Sequence, residues 1–337
     1  MKAYVLHAPN DLRYQEVDIP QCRPGWVIVR VKAAGICSSD IPRIFVKGTY
    51  RFPTIPGHEF SGVVVRTASA EDQKWEGKRV GVFPLIPCRQ CEQCGKKRYE
   101  LCTHYDYIGS RRDGGFAEYV AVPAWNLVEL PNAVSYEDAA LMEPFAVALH
   151  AVKQANIRPG SSVAVVGSGM IGFAAAQWAM HMGAACVCVV GRSEAKRELA
   201  KKIPGLRFAS NPGEEFDTVI EAVGTDESIC SAIGLVKASG CLVLMGNPAG
   251  DIVLPQDIYW RILRKQLCAI GTWNSGYQCG ADSDWTRVRD ALASGQLITQ
   301  PLITHRFPQE QLADGLDLMK KHLEPYCKVM TIWSDGE

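Results

Sequence analysis

Residues 1–150 are built from short apolar and β-branched runs, each closed by Gly or Pro, as at 26–33 (WVIVRVKA), 62–66 (GVVVR) and 79–83 (RVGVF). Strands of this length between turn residues predict an all-β barrel or sandwich. At Glu137 the pattern changes. Residues 137–155 read as helix, and from Ser161 strands alternate with helices at 162–166 (SVAVV), 171–181, 186–190 (CVCVV) and 194–202. Strands at 218–221 and 241–245 continue the alternation, which predicts a parallel sheet covered by helices on both faces. Beyond Thr272 the pattern is mixed again, and no internal repeat, low-complexity tract or long charge run interrupts it.

Composition narrows the function classes. At roughly 150 residues per domain, 337 residues suggest two domains with real cores. The 36 Lys and Arg balance 36 Asp and Glu, which argues against nucleic acid and anionic membrane surfaces as partners. Residues 1–11 lack the apolar stretch of a signal peptide, and the greasiest run, 173–190, is broken by Gln177, His181 and Gly183. Thirteen cysteines, an odd number, exclude a fully paired disulfide framework within the chain. The expectation is a soluble protein of a reducing, cytoplasmic compartment, in which clustered cysteines signal metal or thiol chemistry.

Cys88, Cys91, Cys94 and Cys102 form such a cluster, spaced C-x2-C-x2-C-x7-C in a segment rich in Gln, Glu, Lys and Arg that has little apolar surface to bury. Four thiolates on one loop suit a structural zinc ion, with an iron–sulfur cluster as the rival occupant. A dispersed set, Cys37, His58, Glu59 and Glu143, has the residue types of a catalytic zinc site with one open position. Gly167, Gly169 and Gly172, with Met170 and Ile171 between them, form a G-x-G-x-x-G turn after an apolar strand and before a small-residue helix. That context predicts a dinucleotide site, its pyrophosphate at the helix N-terminus. After the next strand, Gly191, Arg192 and Ser193 stand where an NAD-preferring fold places a carboxylate, so NADP(H) is favoured over NAD(H), with Arg192 on its ribose phosphate.

Together and in this order, GHE at 57–59, the four-cysteine lobe, DGGFAEY at 113–119, EP at 143–144 and the glycine turn resemble the zinc-dependent medium-chain dehydrogenases. SSDIPRIF at 38–45, YDYIGSRRDGGFAEY at 105–119 and ILRKQLCAIGTWN at 262–274 are most similar to the sugar-alcohol branch, above all the galactitol-1-phosphate 5-dehydrogenases. The resemblance implies an α/β plus β architecture: a GroES-like β-barrel catalytic domain (1–148 and 273–337) with an inserted Rossmann domain, a doubly wound parallel sheet (149–272). It implies two zinc ions per subunit, the catalytic one held by Cys37, His58 and Glu143 with Glu59 as alternate ligand, and a homodimer or homotetramer.

The activity implied is reversible hydride transfer between a nicotinamide and a secondary alcohol of a polyol, with Ser39 starting the proton relay. Pro42 stands where some relatives of this kind carry a His that finishes it. Arg43, Arg111 and Arg112 are expected to clamp a substrate phosphate. Gly191-Arg192 departs from the branch, which typically has an acidic residue there and uses NAD. The alternative within the class is an unphosphorylated polyol, a sugar acid or an L-threonine-like substrate. A non-catalytic nucleotide-binding protein and a zinc-free quinone or enoyl reductase fit poorly, because Cys37, His58, Glu143 and the cysteine lobe are all present.

Overall fold

The strand Trp26–Ile36 organises the first part of the molecule, because both of its edges are paired. In this computed structural model, which describes residues 1–333, one edge carries Glu59–Thr67. The other edge is shared, Tyr119–Pro123 lying along its first half and Lys328–Ile332 along its second. The sheet continues through Arg79–Val82 to Leu127–Glu129 on one side and to Ile303–Pro308 on the other. Inward positions of these strands, among them Val27, Val29, Val31, Phe60, Val64, Val80 and Val329, form a single apolar core with Phe116. The hairpin Lys2–Ala8/Asp11–Glu16 adds Tyr4 and Leu6, anchored by Tyr4 N–H to Phe116 O at 2.9 Å and Leu6 N–H to Thr54 O at 2.8 Å.

By contacts the chain divides into Met1–Glu143 with Gly276–Glu337, and Pro144–Ser275. Aromatic packing fastens the returning segment to the first unit: the Tyr277 hydroxyl donates to Leu127 O at 2.8 Å and its ring meets Phe83 at 4.8 Å, while Trp285 meets Phe83 at 5.5 Å. Such ring pairs add to the area they bury. The second unit holds six parallel strands in the order Leu206–Ala209, Cys186–Val190, Ser162–Val166, Phe216–Glu221, Val236–Leu244 and Cys268–Gly271. Its central strands are Val-rich and buried, as a sheet covered on both faces requires.

Three differences from the sequence reading have local causes. The helix expected over 137–155 is two, Tyr136–Ala140 and Met142–Gln154, because Pro144 has no N–H to continue the first into the second. Residues 144–148 pack with the parallel unit, where Phe145 O accepts the Trp178 indole N–H at 3.0 Å. The strands Leu206–Ala209 and Cys268–Gly271 carry little sequence signal, being four residues long and only partly covered.

Gly167 has φ +117°, a backbone state that side chains rarely adopt, and a Cβ on Gly172 would stand 2.0 Å from Gly167 O. Gly172→Ala is therefore expected to lower the stability of this unit by about 1–3 kcal/mol, read as the midpoint of chemical denaturation. Gly169→Ala, whose added methyl meets nothing within 4 Å, should cost less.

Candidate active site

Cys37 follows the end of Trp26–Ile36, where the chain turns into the short helical segments Asp40–Pro42 and Arg43–Lys47. Antiparallel pairing of Gly35 with Glu59 brings the next strand's start, and His58 before it, beside Cys37. The preceding Gly57 has φ +96° and is held by the DGGFAEY segment: Gly115 N–H donates to Gly57 O at 2.8 Å, and a Cβ on Gly114 would stand 2.0 Å from that oxygen. The two motifs are thus one packed unit. Cys37 Sγ, a His58 ring nitrogen and a Glu59 carboxylate oxygen lie within 4.8 Å of one another.

Glu143 enters from the first turn of Met142–Gln154 and stands outside that triplet, its Oε1 accepting from the Tyr107 hydroxyl at 3.3 Å. Glu59 faces Lys328, whose ammonium pairs with Glu59 Oε2 and also donates to Ile36 O at 3.2 Å. Asp40 is fully buried: Oδ2 accepts from Cys37 N–H at 3.0 Å, Oδ1 pairs with Arg43 at 2.9 Å, and His58 Nδ1 lies 3.4 Å away. A carboxylate behind an imidazole fixes which ring nitrogen faces forward.

Burial and charge oppose each other throughout. Burial disfavours the His58 cation, but Asp40 and then Cys37 outweigh it and hold His58 well above the ordinary imidazole range. Burial pushes Glu143 up to about 7, with Glu59 adding to the rise against the pull of His58 and Lys328. Burial works against the Lys328 charge too, yet Glu59 and Cys37 keep it an ammonium. Burial and then Glu143 hold the Tyr107 phenol well above its usual range, so it remains a donor.

Asp40, Glu59 and Glu143 place three carboxyl groups here beside the Cys37 sulfur, and Arg43, Lys328 and a protonated His58 answer them. A divalent cation among these ligands would take the place of the His58 proton, and sulfur, imidazole and carboxylate are the donors zinc takes. The residues present therefore fit the metal.

The four sulfurs of Cys88, Cys91, Cys94 and Cys102 also lie within 4.8 Å of one another. Backbone N–H groups of Cys94 and Thr103 lower the Cys91 thiol to about 5, whereas burial and the neighbouring Cys91 raise Cys94 to about 12. Four thiolates do not coexist at neutral pH without a cation among them, which is the condition for a structural metal.

In the parallel unit, Gly169 is the N-cap of Met170–His181 and offers no side chain there, so the first helical N–H groups point at open space for a phosphate. Met170 is buried, Ile171 half-buried, and a Cβ on Gly191 would stand 2.7 Å from Ser168 Oγ. Ser193 caps the next helix, Glu194–Lys201, without a side-chain bond. Arg192 is 80% exposed and pairs at 3.0 Å with Glu227, itself 75% exposed. Such a pair contributes little and yields readily to a phosphate.

Ser39 Oγ lies 3.3 Å from Cys37 Sγ and is half exposed. The three arginines expected on a phosphate part company. Arg43 is neutralised by Asp40; Arg112 pairs with Asp106 and lines a cleft with Trp26, Asp18 and Arg51; Arg111 lies between two tyrosine rings. Arg43 and Arg112 thus have their charges met inside the protein. Asp40, Tyr107 and Lys328 were not anticipated. Asp40 sits three residues after Cys37 and was open to inspection; Lys328 carries no local sign, because its partner is 269 residues away.

The chain matches the family model "Alcohol dehydrogenase GroES-like domain" over residues 23–132 and "Zinc-binding dehydrogenase" over 171–294. It is 32% identical to the galactitol 1-phosphate 5-dehydrogenase of Escherichia coli K12, over 96% of this chain and 98% of that one. It is 29% identical to the L-galactonate-5-dehydrogenase of the same organism, over 93% and 94%. The crystal structure of galactitol-1-phosphate dehydrogenase from Escherichia coli superposes with a TM-score of 0.89 at 33% identity, covering 98% of this chain and 100% of that one.

Asp40→Asn removes the charge behind His58 while keeping its size. The expected result is a loss of about 10–100-fold in zinc affinity at the Cys37–His58 cluster, measured by chelator competition, with the cysteine lobe unaffected.

Proposed function

Since the chain belongs to the zinc-dependent medium-chain dehydrogenases, whose polyol and alcohol dehydrogenases it resembles over nearly its whole length, we propose that it interconverts a secondary alcohol of a phosphorylated polyol and the corresponding ketone with NADP(H). The observation that carries the class is the approach of Cys37, His58 and Glu59 to within 4.8 Å of one another, with the buried Glu143 near enough to feel the charges of His58 and Glu59. Cys37, His58 and Glu143 hold the catalytic zinc, and the cysteine lobe holds a second ion. Bound zinc supplies Lewis acidity toward an alcohol oxygen, and the nicotinamide accepts or returns the hydride.

The protein's own groups do the rest. Asp40 holds His58 in the ligating tautomer, and Lys328 neutralises Glu59 and keeps it to one side as the alternate ligand. Ser39 Oγ, half exposed beside Cys37, takes up the alcohol proton and passes it toward solvent. Tyr107, locked as a phenol, steadies Glu143 through its hydroxyl.

The cofactor reading rests on Arg192, whose fork suits a ribose phosphate and whose neighbours Gly191 and Ser193 place no carboxylate there. Steady-state oxidation of galactitol 1-phosphate with both nucleotides tests it. NADP should give the higher kcat/KM, and Arg192→Ala should reduce the NADP:NAD ratio by about 10–100-fold. A wild-type preference for NAD overturns the cofactor assignment.

A homo-oligomer is proposed from the sheet edge. Cys268–Gly271 pairs on one side only, and the helix before it, Gln256–Arg264, exposes Tyr259, Trp260 and Leu263. An unpaired strand beside apolar surface joins naturally to its copy across a twofold axis. Sedimentation should give at least twice the 37.0 kDa chain mass, and Ile270→Asp, on that strand, should shift it toward the monomer.

A further inference from the structure

Most arginines around the site have an acidic partner. Arg43 pairs with Asp40 at 2.9 Å, Arg51 with Asp113 at 3.1 Å, and Arg112 with Asp106. Arg111 differs: no carboxylate among the described residues pairs with it. Its guanidinium lies over the ring of Tyr50 at 4.3 Å and that of Tyr105 at 4.4 Å, and Nη1 donates to Tyr105 O at 2.9 Å.

This arrangement is built. Tyr50 is 73% exposed and contributes nothing to the core, yet its backbone N–H is tied to Ser110 O at 3.3 Å, which sets its ring against Arg111. Arg111 N–H itself bonds to Tyr107 O at 2.9 Å, so the guanidinium and Tyr107 are fixed relative to each other by one tight turn. From the guanidinium a wall of rings runs inward. Tyr105 meets Tyr107 edge-on at 6.1 Å, and the Tyr107 ring lies 5.9 Å from that of His58 while its hydroxyl reaches Glu143.

We propose that Arg111, positioned by Tyr50 and Tyr105, recognises the anionic end of the substrate while the reacting alcohol lies at the Cys37–His58–Glu143 end of the same wall. The inference rests on the polyol dehydrogenase reading and deepens it: the substrate is a polyol with a charged terminus, a phosphate or a carboxylate. A guanidinium has five N–H donors in a rigid fork, and only one direction is taken up by Tyr105 O, so a bidentate face remains for either anion. Stacking on two rings holds that face in place before the ligand arrives, which lowers the entropic cost of binding.

Galactitol 1-phosphate, galactonate and galactitol share a carbon chain and differ at one terminus. With the zinc-loaded full-length enzyme, kcat/KM should favour one or both anionic compounds over galactitol. Arg111→Met should collapse that preference by about 10–100-fold, mainly through KM, with Arg111→Lys intermediate because an ammonium lacks the fork. Tyr50→Leu, at an exposed position that folding does not need, should act in the same direction and more weakly. A larger effect on galactitol 1-phosphate identifies a phosphate, and a larger effect on galactonate a carboxylate.

If galactitol is used as well as the anionic compounds, or Arg111→Met leaves the preference unmoved, the inference falls while the polyol reading stands. If none of the three is oxidised with either nucleotide, the polyol reading falls instead. Thermal stabilisation by inorganic phosphate then decides for Arg111: present in the wild type and lost in Arg111→Met if it binds anions, unchanged if it does not.

Discussion

The cost of burying charge governs the candidate active site. Asp40, Glu59 and Glu143 are 0%, 2% and 8% exposed, and an ionised carboxylate taken out of water costs several kcal/mol unless a partner offsets it. The barrel answers each one separately, with Arg43 and the Cys37 N–H for Asp40, Lys328 for Glu59 and a phenol for Glu143. His58 meets the rest as a cation, a place that a divalent ion would take. Metal affinity and the integrity of this end of the barrel are accordingly linked quantities.

The same constraint explains features that do no chemistry. Gly35 must lack a side chain because one would stand 2.5 Å from Glu59 Oε2, where the carboxylate turns toward Lys328. Gly114 lets two backbones approach closely, and side chains on Gly57 and Gly115 would run into the rings of Phe116 and Phe60, so all three glycines help present His58 in register with Cys37. In the parallel unit the corresponding demand is for open backbone, and it falls on Gly167 and Gly169 at the strand-to-helix turn.

What could be read from the sequence was what depends on short spacing. The cysteine lobe, the glycine turn and the strand alternation each lie within a few dozen residues, and the structure brings their members together as the spacing implied. Cys37, His58 and Glu143 could be joined only through family resemblance, since strand pairing brings the first two together and Glu143 comes from the helix Met142–Gln154. The arginines were harder still. Arg43, Arg111 and Arg112 look alike in a row of letters, but turn geometry hands Asp40 to the first and Asp106 to the third and leaves the second to two tyrosines. The helical break before Pro144 was in plain view and was outweighed by the apolar pattern running through it.

Lys328 lies on the strand Lys328–Ile332, whereas the carboxylate it neutralises is 269 residues earlier. A ribosome adding about 5–20 residues per second takes on the order of tens of seconds to cover that interval. During translation the nascent barrel therefore holds Glu59 with its permanent counter-ion still unsynthesised. The parallel unit, encoded in between, can complete its own sheet in the meantime. Arrival of the late strand closes the edge of Trp26–Ile36 and delivers the ammonium in one event, so the pairing of this strand and the neutralising of Glu59 are not separable steps.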